Sequence, residues 1–584
     1  MEKKWQILPA APEALRQQFP EYKPVILQLL YNRGLTEQVA IDKFLNPSYE
    51  HDILDPYLFV DMHKAVERLV YSIIHNEPVM VYGDYDADGV CSSTVLHSSF
   101  KALGINVDIY IPSRESEGYG LNLEAVKGIV QQGFKLVVTV DCGISNLEEI
   151  AYLREHGVDV IILDHHKEPA QLPNANAIIN PSVAGNGYPF AKLCGAGVAF
   201  KFIQAVMQYQ ETHDLPLKLP AGYDKWLLDI VAIATVGDIM PLIGENRAFV
   251  KWGLVVLEKT RRPGLRALVN SVLQQSRNKL DSQCISWRIV PRLNAAGRIN
   301  HATVAFNLLN AEVQSEAEKY CEYLEANNKE RQQMTERMLK EGLAQVTDLT
   351  DETKFLCVVG DTWIAGVVGL VAGRLADRYH RPTLAVSKQG DKFVGSGRSI
   401  PDFDITAALQ QCAEFLDHFG GHPQACGFTV IGEENFKNFQ QRMLAIANEQ
   451  LREVKLIPTI KIDAEVQLAE INLKLWDQIT DFEPFGEGNP RPLFAAYNLV
   501  IEKAQAIGND GKHLRAMVTQ KNMPQVHKLI GFSFGEWALE LKRGDQIDII
   551  FEIGVSEWQG RSELELKIVD LRRCASDVTV ETII

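Results

Sequence analysis

The sequence predicts an α/β protein of two lobes joined by a long helix and followed by a small β-barrel. Three observations predict it. Short, uninterrupted β-branched runs recur between residues 79 and 163, each ending in acidic or histidine residues. A strongly charged stretch from Ala311 to Val346 holds no proline and no glycine before Gly342. Beyond Ile457-Pro458 the pattern changes to alternating strands separated by Gly, Asn and Asp turns. Continuous apolar runs mark parallel strands buried on both faces, whereas alternation marks strands with one wet face.

Residues 1–50 read as a polar leader with small helices. Residues 51–310 read as the first α/β lobe. In it Pro78-Val79-Met80-Val81-Tyr82 leads into Gly83-Asp84, Leu136–Val140 into Asp141-Cys142-Gly143, and Val158–Leu163 into Asp164-His165-His166. With crossover helices between them, these strands form an open parallel sheet, and such sheets take ligands at the carboxyl ends of their strands. Residues 311–347 form the connecting helix, polar over most of its surface as befits a bridge between lobes. Residues 348–455 make a smaller α/β lobe. Residues 456–584 carry runs such as Gln546–Phe551 and Leu564–Val569, as in a small barrel.

Composition excludes several classes. Of the 584 residues, 46% are apolar and 23% charged, which is ordinary globular usage. The longest apolar stretches, such as Leu227–Gly237, are short and broken by Asp229, so no membrane span is expected. Met1–Trp5 lacks the apolar run of a secretory signal. Nine scattered cysteines with no C-x-x-C pair fit a reducing cytoplasm without disulfides or structural zinc. A formal net charge of −16 argues, taken alone, against an indiscriminate polyanion binder.

The charge is unevenly placed. Residues 251–300 hold ten Lys/Arg (251, 259, 261, 262, 266, 277, 279, 288, 292 and 298) against Glu258 and Asp281. Such a run is usually a solvated face. Here Trp287 lies among the arginines, a composition suited to phosphate contact and base stacking.

Asp84-Tyr85-Asp86-Ala87-Asp88-Gly89 sets three carboxylates at alternate positions. An EF-hand loop opens the same way but needs Glu at its twelfth position, where this chain has Val95, and it follows a helix rather than a strand. A solvated acidic turn is the other ordinary reading. Against it, Asp141 and Asp164-His165-His166 end neighbouring strands, and Val236-Gly237-Asp238 ends an apolar helix. Carboxylates converging on one sheet edge repel unless cations lie between them. Oxygen ligands with an imidazole suit Mn²⁺ or Mg²⁺ better than zinc. Two such ions about 3.5–4 Å apart are the arrangement for in-line phosphoryl displacement.

These motifs resemble, in order and spacing, those of the DHH phosphoesterases. The resemblance continues through Pro291-Arg292-Leu293-Asn294-Ala295-Ala296-Gly297-Arg298, Gly366–Leu375, Gly395-Ser396-Gly397-Arg398-Ser399 and Gly420-Gly421-His422-Pro423-Gln424-Ala425-Cys426-Gly427-Phe428. It covers about Val79 to Pro490 and is nearest to the family's single-strand-specific 5′→3′ DNA exonucleases. It implies a parallel-sheet DHH lobe, a smaller DHHA1 lobe and an oligonucleotide-binding (OB) barrel. It also implies two ions, Mn²⁺ or Mg²⁺, with Asp86 and Asp88 each holding one and Asp141 bridging both. His165 and Asp238 would complete opposite sides, His166 would face the scissile phosphate, and Asp164 would support the pair from behind. Asp84 would take the place of a histidine that many relatives carry where this chain has Tyr82.

By the same resemblance Arg298, Ser396 and Arg398 form a 5′-phosphate pocket, with His422 near the same phosphates. Independently, the Ser396 hydroxyl and the Arg398 fork suit a terminal phosphate. In the barrel, Lys512, His513, Arg515 and Lys528 are candidates for strand contact. The expected function is a metal-dependent exonuclease that enters single-stranded DNA at a 5′ end and releases 5′-mononucleotides. Expected partners are that strand, a single-strand-binding protein and a helicase in repair and recombination, with no membrane and a monomeric chain. Two rivals are a DHH hydrolase of very short oligonucleotides, cyclic dinucleotides or pyrophosphate, and a non-catalytic scaffold.

Overall fold

The structure is a computed structural model that describes residues 3–274, 279–347, 349–521, 523–558 and 561–574. The chain divides into two compact units, Tyr49–Pro458 and the combination of Glu2–Ser48 with Thr459–Ile584.

The first unit opens with a five-stranded, all-parallel sheet. Its order is Val107–Tyr110, Val79–Tyr82, Leu136–Val140, Asp159–Leu163, Ala177–Ile179. The strands Val79–Tyr82 and Leu136–Val140 are buried along their whole length, which is why they read as unbroken apolar runs. From the strand Val79–Tyr82 the chain goes first to one neighbour, Val107–Tyr110, then back to the other, Leu136–Val140. This reversal opens a crevice at the carboxyl ends of Val79–Tyr82 and Leu136–Val140. Helix Ala87–Ala102 packs between helices Gly195–Thr212 and Tyr223–Gly237 on one face of the sheet.

The second lobe of this unit is a mixed sheet ordered His418–His422, Ala425–Ile431, Lys392–Arg398, Thr383–Gln389, Leu356–Gly360, with only the last two strands parallel. Helix Gln314–Gln345, 32 residues and therefore about 48 Å long, joins the lobes. Cys321 and Leu324, towards its start, belong to the first lobe's core. Met338, towards its end, packs with Trp363, Val367 and Val371 of the second. Its sparse apolar residues thus serve two cores in turn, and the remainder stays polar.

In the second unit, five strands, Phe494–Ile507, His513–Gln520, Met523–Gly531, Gln546–Trp558 and Arg561–Arg573, close into a barrel. Closure comes from pairing of the first with the fourth, Phe494 opposite Phe551. The N-terminal residues are not the separate polar leader that the sequence suggests. Lys4–Ile7 pairs in parallel with Thr459–Ile462, and the Trp5 indole donates to Asp570 at 2.7 Å. Helices Pro24–Asn32 and Gln38–Leu45 put Leu29, Leu30 and Ile41 into one core with Ile479, Phe482 and Leu499. These amphipathic faces are too short to be stable unburied, and the barrel unit supplies the partner surface. Leu30→Ala should therefore destabilise the barrel unit by roughly 2–5 kcal/mol, read as a lowered melting transition of that unit.

Candidate metal centre

The loop after Val79–Tyr82 is shaped by its glycines and caps. A Cβ on Gly89 would lie 2.4 Å from the Asp84 carbonyl oxygen, so only glycine permits this close turn. Asp86 caps helix Ala87–Ala102, its Oδ1 accepting from the amides of Asp88 and Gly89 at 2.9 and 3.1 Å. Asp88 accepts from the amides of Gly195 and Ala196 at 2.6 and 2.8 Å, at the start of helix Gly195–Thr212. Both carboxylates are thus aimed by backbone donors.

Asp141 ends the strand Leu136–Val140 in a left-handed conformation, φ +59°. Such strain in a non-glycine residue is tolerated where its surroundings fix it and often marks a functional position. A Cβ on Gly195 would come within 2.7 Å of the Asp141 Cβ, so the helix start presses against it. Asp164 is an internal post, accepting from the amides of Ile144, His165 and His166 and from His166 Nδ1 at 2.7–3.1 Å.

These residues meet. Three overlapping groups could hold a metal ion: Asp84, Asp86 and Asp141; Asp88, His165 and Asp238; and Asp141, His165 and His166. His165 Nε2 lies 3.0 Å from Asp141 Oδ1, 3.6 Å from Asp238 and 3.7 Å from Asp88. His165 thus lies between Asp141 on one hand and Asp88 with Asp238 on the other. Tyr82 instead turns into the apolar layer containing Leu121 and Val126, its hydroxyl donating to Gly120 O at 3.2 Å.

The residues fit divalent cations. Asp84 Oδ1 and Asp238 Oδ2 are buried without a hydrogen-bond partner. Burial, then repulsion from Asp88, Asp86, Asp84 and Asp238, pushes Asp141 well above the usual carboxylate range. Burial followed by Asp88 and Asp86 pushes Asp238 up to about 9. Buried anions in such numbers are a cost that bound cations remove. The donors, five carboxylates and one imidazole, suit Mn²⁺ or Mg²⁺.

His166 has the opposite character. Burial disfavours its charged form, but the Asp164 carboxylate overrides this and raises it to about 9, while Asp164 itself falls to about 2. Tyr119 OH stands 3.1 Å from His166 Nδ1 and 3.1 Å from the Asp141 carbonyl oxygen. In the metal-free protein His166 is expected to titrate near 9. The stability contributed by the charged form is complete below the ordinary value of 6.5 and is lost as pH rises through about 9. Asp164→Asn should lower the midpoint, because the strongest opposition to burial is removed and only Asp238 and Asp88 still favour the charged form; the imidazole resonances in a pH titration by NMR measure it.

Across the cleft, helix Val290–Ile299 carries Asn294, whose Oδ1 accepts from the Ala87 amide at 2.7 Å, and Arg298, which donates to Gly366 O at 2.8 Å. Arg398 donates to Ser396 Oγ at 3.1 Å, and a Cβ on Gly369 would lie 3.0 Å from that hydroxyl. Burial, then the guanidiniums of Arg114, Arg331 and Arg398, pushes Arg298 down to about 9. Crowded guanidiniums with few acids around them form an anion site. His422 ends an exposed strand. Burial, then the positive charges of Lys167 and His166, lowers its imidazole.

Three family models match in this order: the DHH family N-terminal domain over residues 78–235, the DHHA1 domain over 352–449 and the RecJ OB domain over 462–570. The chain is 35% identical over 549 residues to the single-stranded-DNA-specific exonuclease RecJ of Bacillus subtilis (strain 168), covering 94% of this chain and 68% of the relative. It is 30% identical over 564 residues to that of Escherichia coli (strain K12), covering 94% and 96%. The chain belongs to the RecJ family. The structure of Thermus thermophilus RecJ in complex with Mn²⁺ superposes with a TM-score of 0.83 at 27% identity, covering 98% of this chain and 80% of that one. The Mg²⁺ complex of the same protein gives 0.76 at 25% identity, covering 98% and 79%.

Within this RecJ fold, Asp84, Asp86, Asp88, Asp141, His165 and Asp238 come together, with His166 and Asp164 beside them. Arg298, Ser396 and Arg398 gather around the glycine face of helix Ala365–Tyr379. The basic segment, in contrast, does not form one surface. Arg261 stacks on Trp226 at 3.6 Å, and Arg262 donates to Ser98 beside buried Asp229. Ser98 lies about 15 Å along helix Ala87–Ala102 from Asp88, away from the metal groups. Arg277 lies outside the described residues. In the barrel, Lys512 pairs with Asp510 and Lys528 with Glu563 and Glu565, whereas Arg515 is exposed and His513 packs on Phe532.

Sequence reasoning missed Arg114, Tyr119 and Arg331. Arg114 and Tyr119 follow the strand Val107–Tyr110, so their place at the carboxyl edge was readable from the sheet order. Arg331 sits in a helix whose charge reads as solvated.

Proposed function

We propose that this chain is a metal-dependent 5′→3′ exonuclease of single-stranded DNA, acting in repair and recombination and releasing 5′-mononucleotides. The observation that carries the reading is the overlap, at Asp141 and His165, of three groups that could hold metal ions, facing an arginine pocket across one cleft. Asp84, Asp86 and Asp141 would hold one Mn²⁺ or Mg²⁺ ion, and Asp88, His165 and Asp238 the other. The two ions supply a nucleophile from water at neutral pH and offset charge on the phosphoryl oxygens.

The chain's own residues do the rest. Arg298, Ser396 and Arg398 hold the terminal 5′-phosphate, which sets the end from which cleavage starts. His166, charged through Asp164 and steadied by Tyr119, meets the scissile phosphate. His422 adds a contact to the same backbone. The barrel offers a further surface for single-stranded DNA. Among the described residues no helix is long and apolar enough to cross a membrane. A monomeric, cytoplasmic enzyme working with a single-strand-binding protein and a helicase is the setting that fits these parts.

Digestion of 5′-phosphorylated single- and double-stranded DNA, with and without Mn²⁺, tests this. Mononucleotides should appear from the single strand only, from its 5′ end, and only with metal. Metal-independent turnover, or cleavage confined to dinucleotides, would overturn the reading.

A further inference from the structure

Two exposed apolar side chains stand out on the segments that lead into the metal groups and the phosphate pocket. Trp287 is 74% exposed and Ile239 70% exposed. Ile239 directly follows Asp238 and adopts φ +55°, a left-handed conformation that β-branched residues rarely take. Trp287 lies in a π-helical turn, Ile285–Ile289, that runs into helix Val290–Ile299. Such turns recur at functional sites.

Position follows from packing. A Cβ on Gly237 would lie 3.1 Å from Val290 Cγ2, so Val290 sits against the residue before Asp238. Trp287 precedes Val290 by three residues; Val290 is buried, and Trp287 stands on the exposed side of the same segment. Downstream, Asn294 binds the Ala87 amide in the metal loop, and Arg298 reaches the phosphate pocket. Positions 287, 291, 294 and 298 share a face at helical spacing, and about 16 Å separates the first from the last. One helix therefore runs from the phosphate pocket, past the metal loop, to an exposed indole with Arg288 beside it.

We propose that the exposed Trp287 indole is the stacking platform for a base on the 3′ side of the scissile phosphodiester. This rests on the exonuclease reading, because the occupant is the strand whose 5′ end Arg298 holds. With that end fixed and the bond to be cut at the metal loop, the remaining strand leaves over Asp238 and Trp287. Stacking suits the task, since every base offers a π-face and an exonuclease consumes all sequences.

The test compares the parent with Trp287→Ala and Trp287→Phe on 5′-phosphorylated oligonucleotides carrying one abasic site, stepped through the first few positions. Trp287→Ala should raise KM roughly five- to a hundredfold with kcat changed less than about twofold, and Trp287→Phe should keep most of the affinity. In the parent one abasic position should cost a similar factor, and in Trp287→Ala that position should cost nothing further. An unchanged KM, or the same abasic profile in parent and variant, overturns the platform. An exposed side chain contributes little packing, so the melting temperature of Trp287→Ala should match the parent's. If the parent itself leaves single-stranded DNA intact, the exonuclease reading fails first. If the parent digests it and Trp287→Ala digests it equally well, only the platform fails.

Discussion

Asp141→Asn is expected to lower turnover about a thousandfold or more while leaving the fold in place. Asparagine keeps the shape and tolerates the left-handed backbone at φ +59°, which alanine does less well, so the loss reports chemistry rather than strain. The variant removes a carboxylate common to two of the three groups and one partner of His165. In metal-free protein the same change should raise the melting temperature. Asp141 is buried, and its neighbours Asp88, Asp86, Asp84 and Asp238 all disfavour its charge. Opposite effects on activity and stability, read by single-turnover hydrolysis and by calorimetry in chelator, separate a metal ligand from a structural aspartate. A melting temperature that falls together with activity would count against the assignment.

Arg398→Ala should remove the preference for a 5′-phosphate. The expected loss in kcat/KM on 5′-phosphorylated single strands is about a hundredfold, as for a buried charge-assisted fork. Activity on the same strand with a 5′-hydroxyl should change little, because that substrate never used the fork. Arg398 is the cleaner target than Arg298, which also carries the hydrogen bond to Gly366 O that ties the two lobes. A uniform loss on both substrates would show that Arg398 supports the lobe rather than the phosphate.

Much of the first lobe was legible because parallel strands buried on both faces leave an unmistakable trace, and each ends where the chemistry must be. The carboxylates at Asp84, Asp86, Asp88 and Asp141 could be found for that reason, and Asp238 through the helix it terminates. Pairing was harder to read. Which ligand falls in which group depends on how helices Gly195–Thr212 and Tyr223–Gly237 seat against helix Ala87–Ala102, and three-dimensional seating has no period in sequence. The basic run misled for a related cause. Arg261, in the loop before helix Pro263–Gln274, and Arg298, on helix Val290–Ile299, are 37 positions apart, and one stacks on Trp226 while the other reaches the opposite lobe. The leader was misjudged because a helix such as Pro24–Asn32 reveals that it needs a partner, but not that the partner begins at residue 459.

That last pairing bears on how the protein is made. The barrel unit is built from the two ends of the chain, with residues 49–458 synthesised between them. The N-terminal helices emerge from the ribosome roughly 20–80 s before the strands they pack against, at usual elongation rates. During that interval the first unit can complete its own core, while Leu29, Leu30 and Ile41 remain without their native cover. Assembly of the barrel unit therefore waits until its strands beyond residue 459 are made, and the waiting helices are open in the meantime to chaperone capture or to proteolysis of nascent chains.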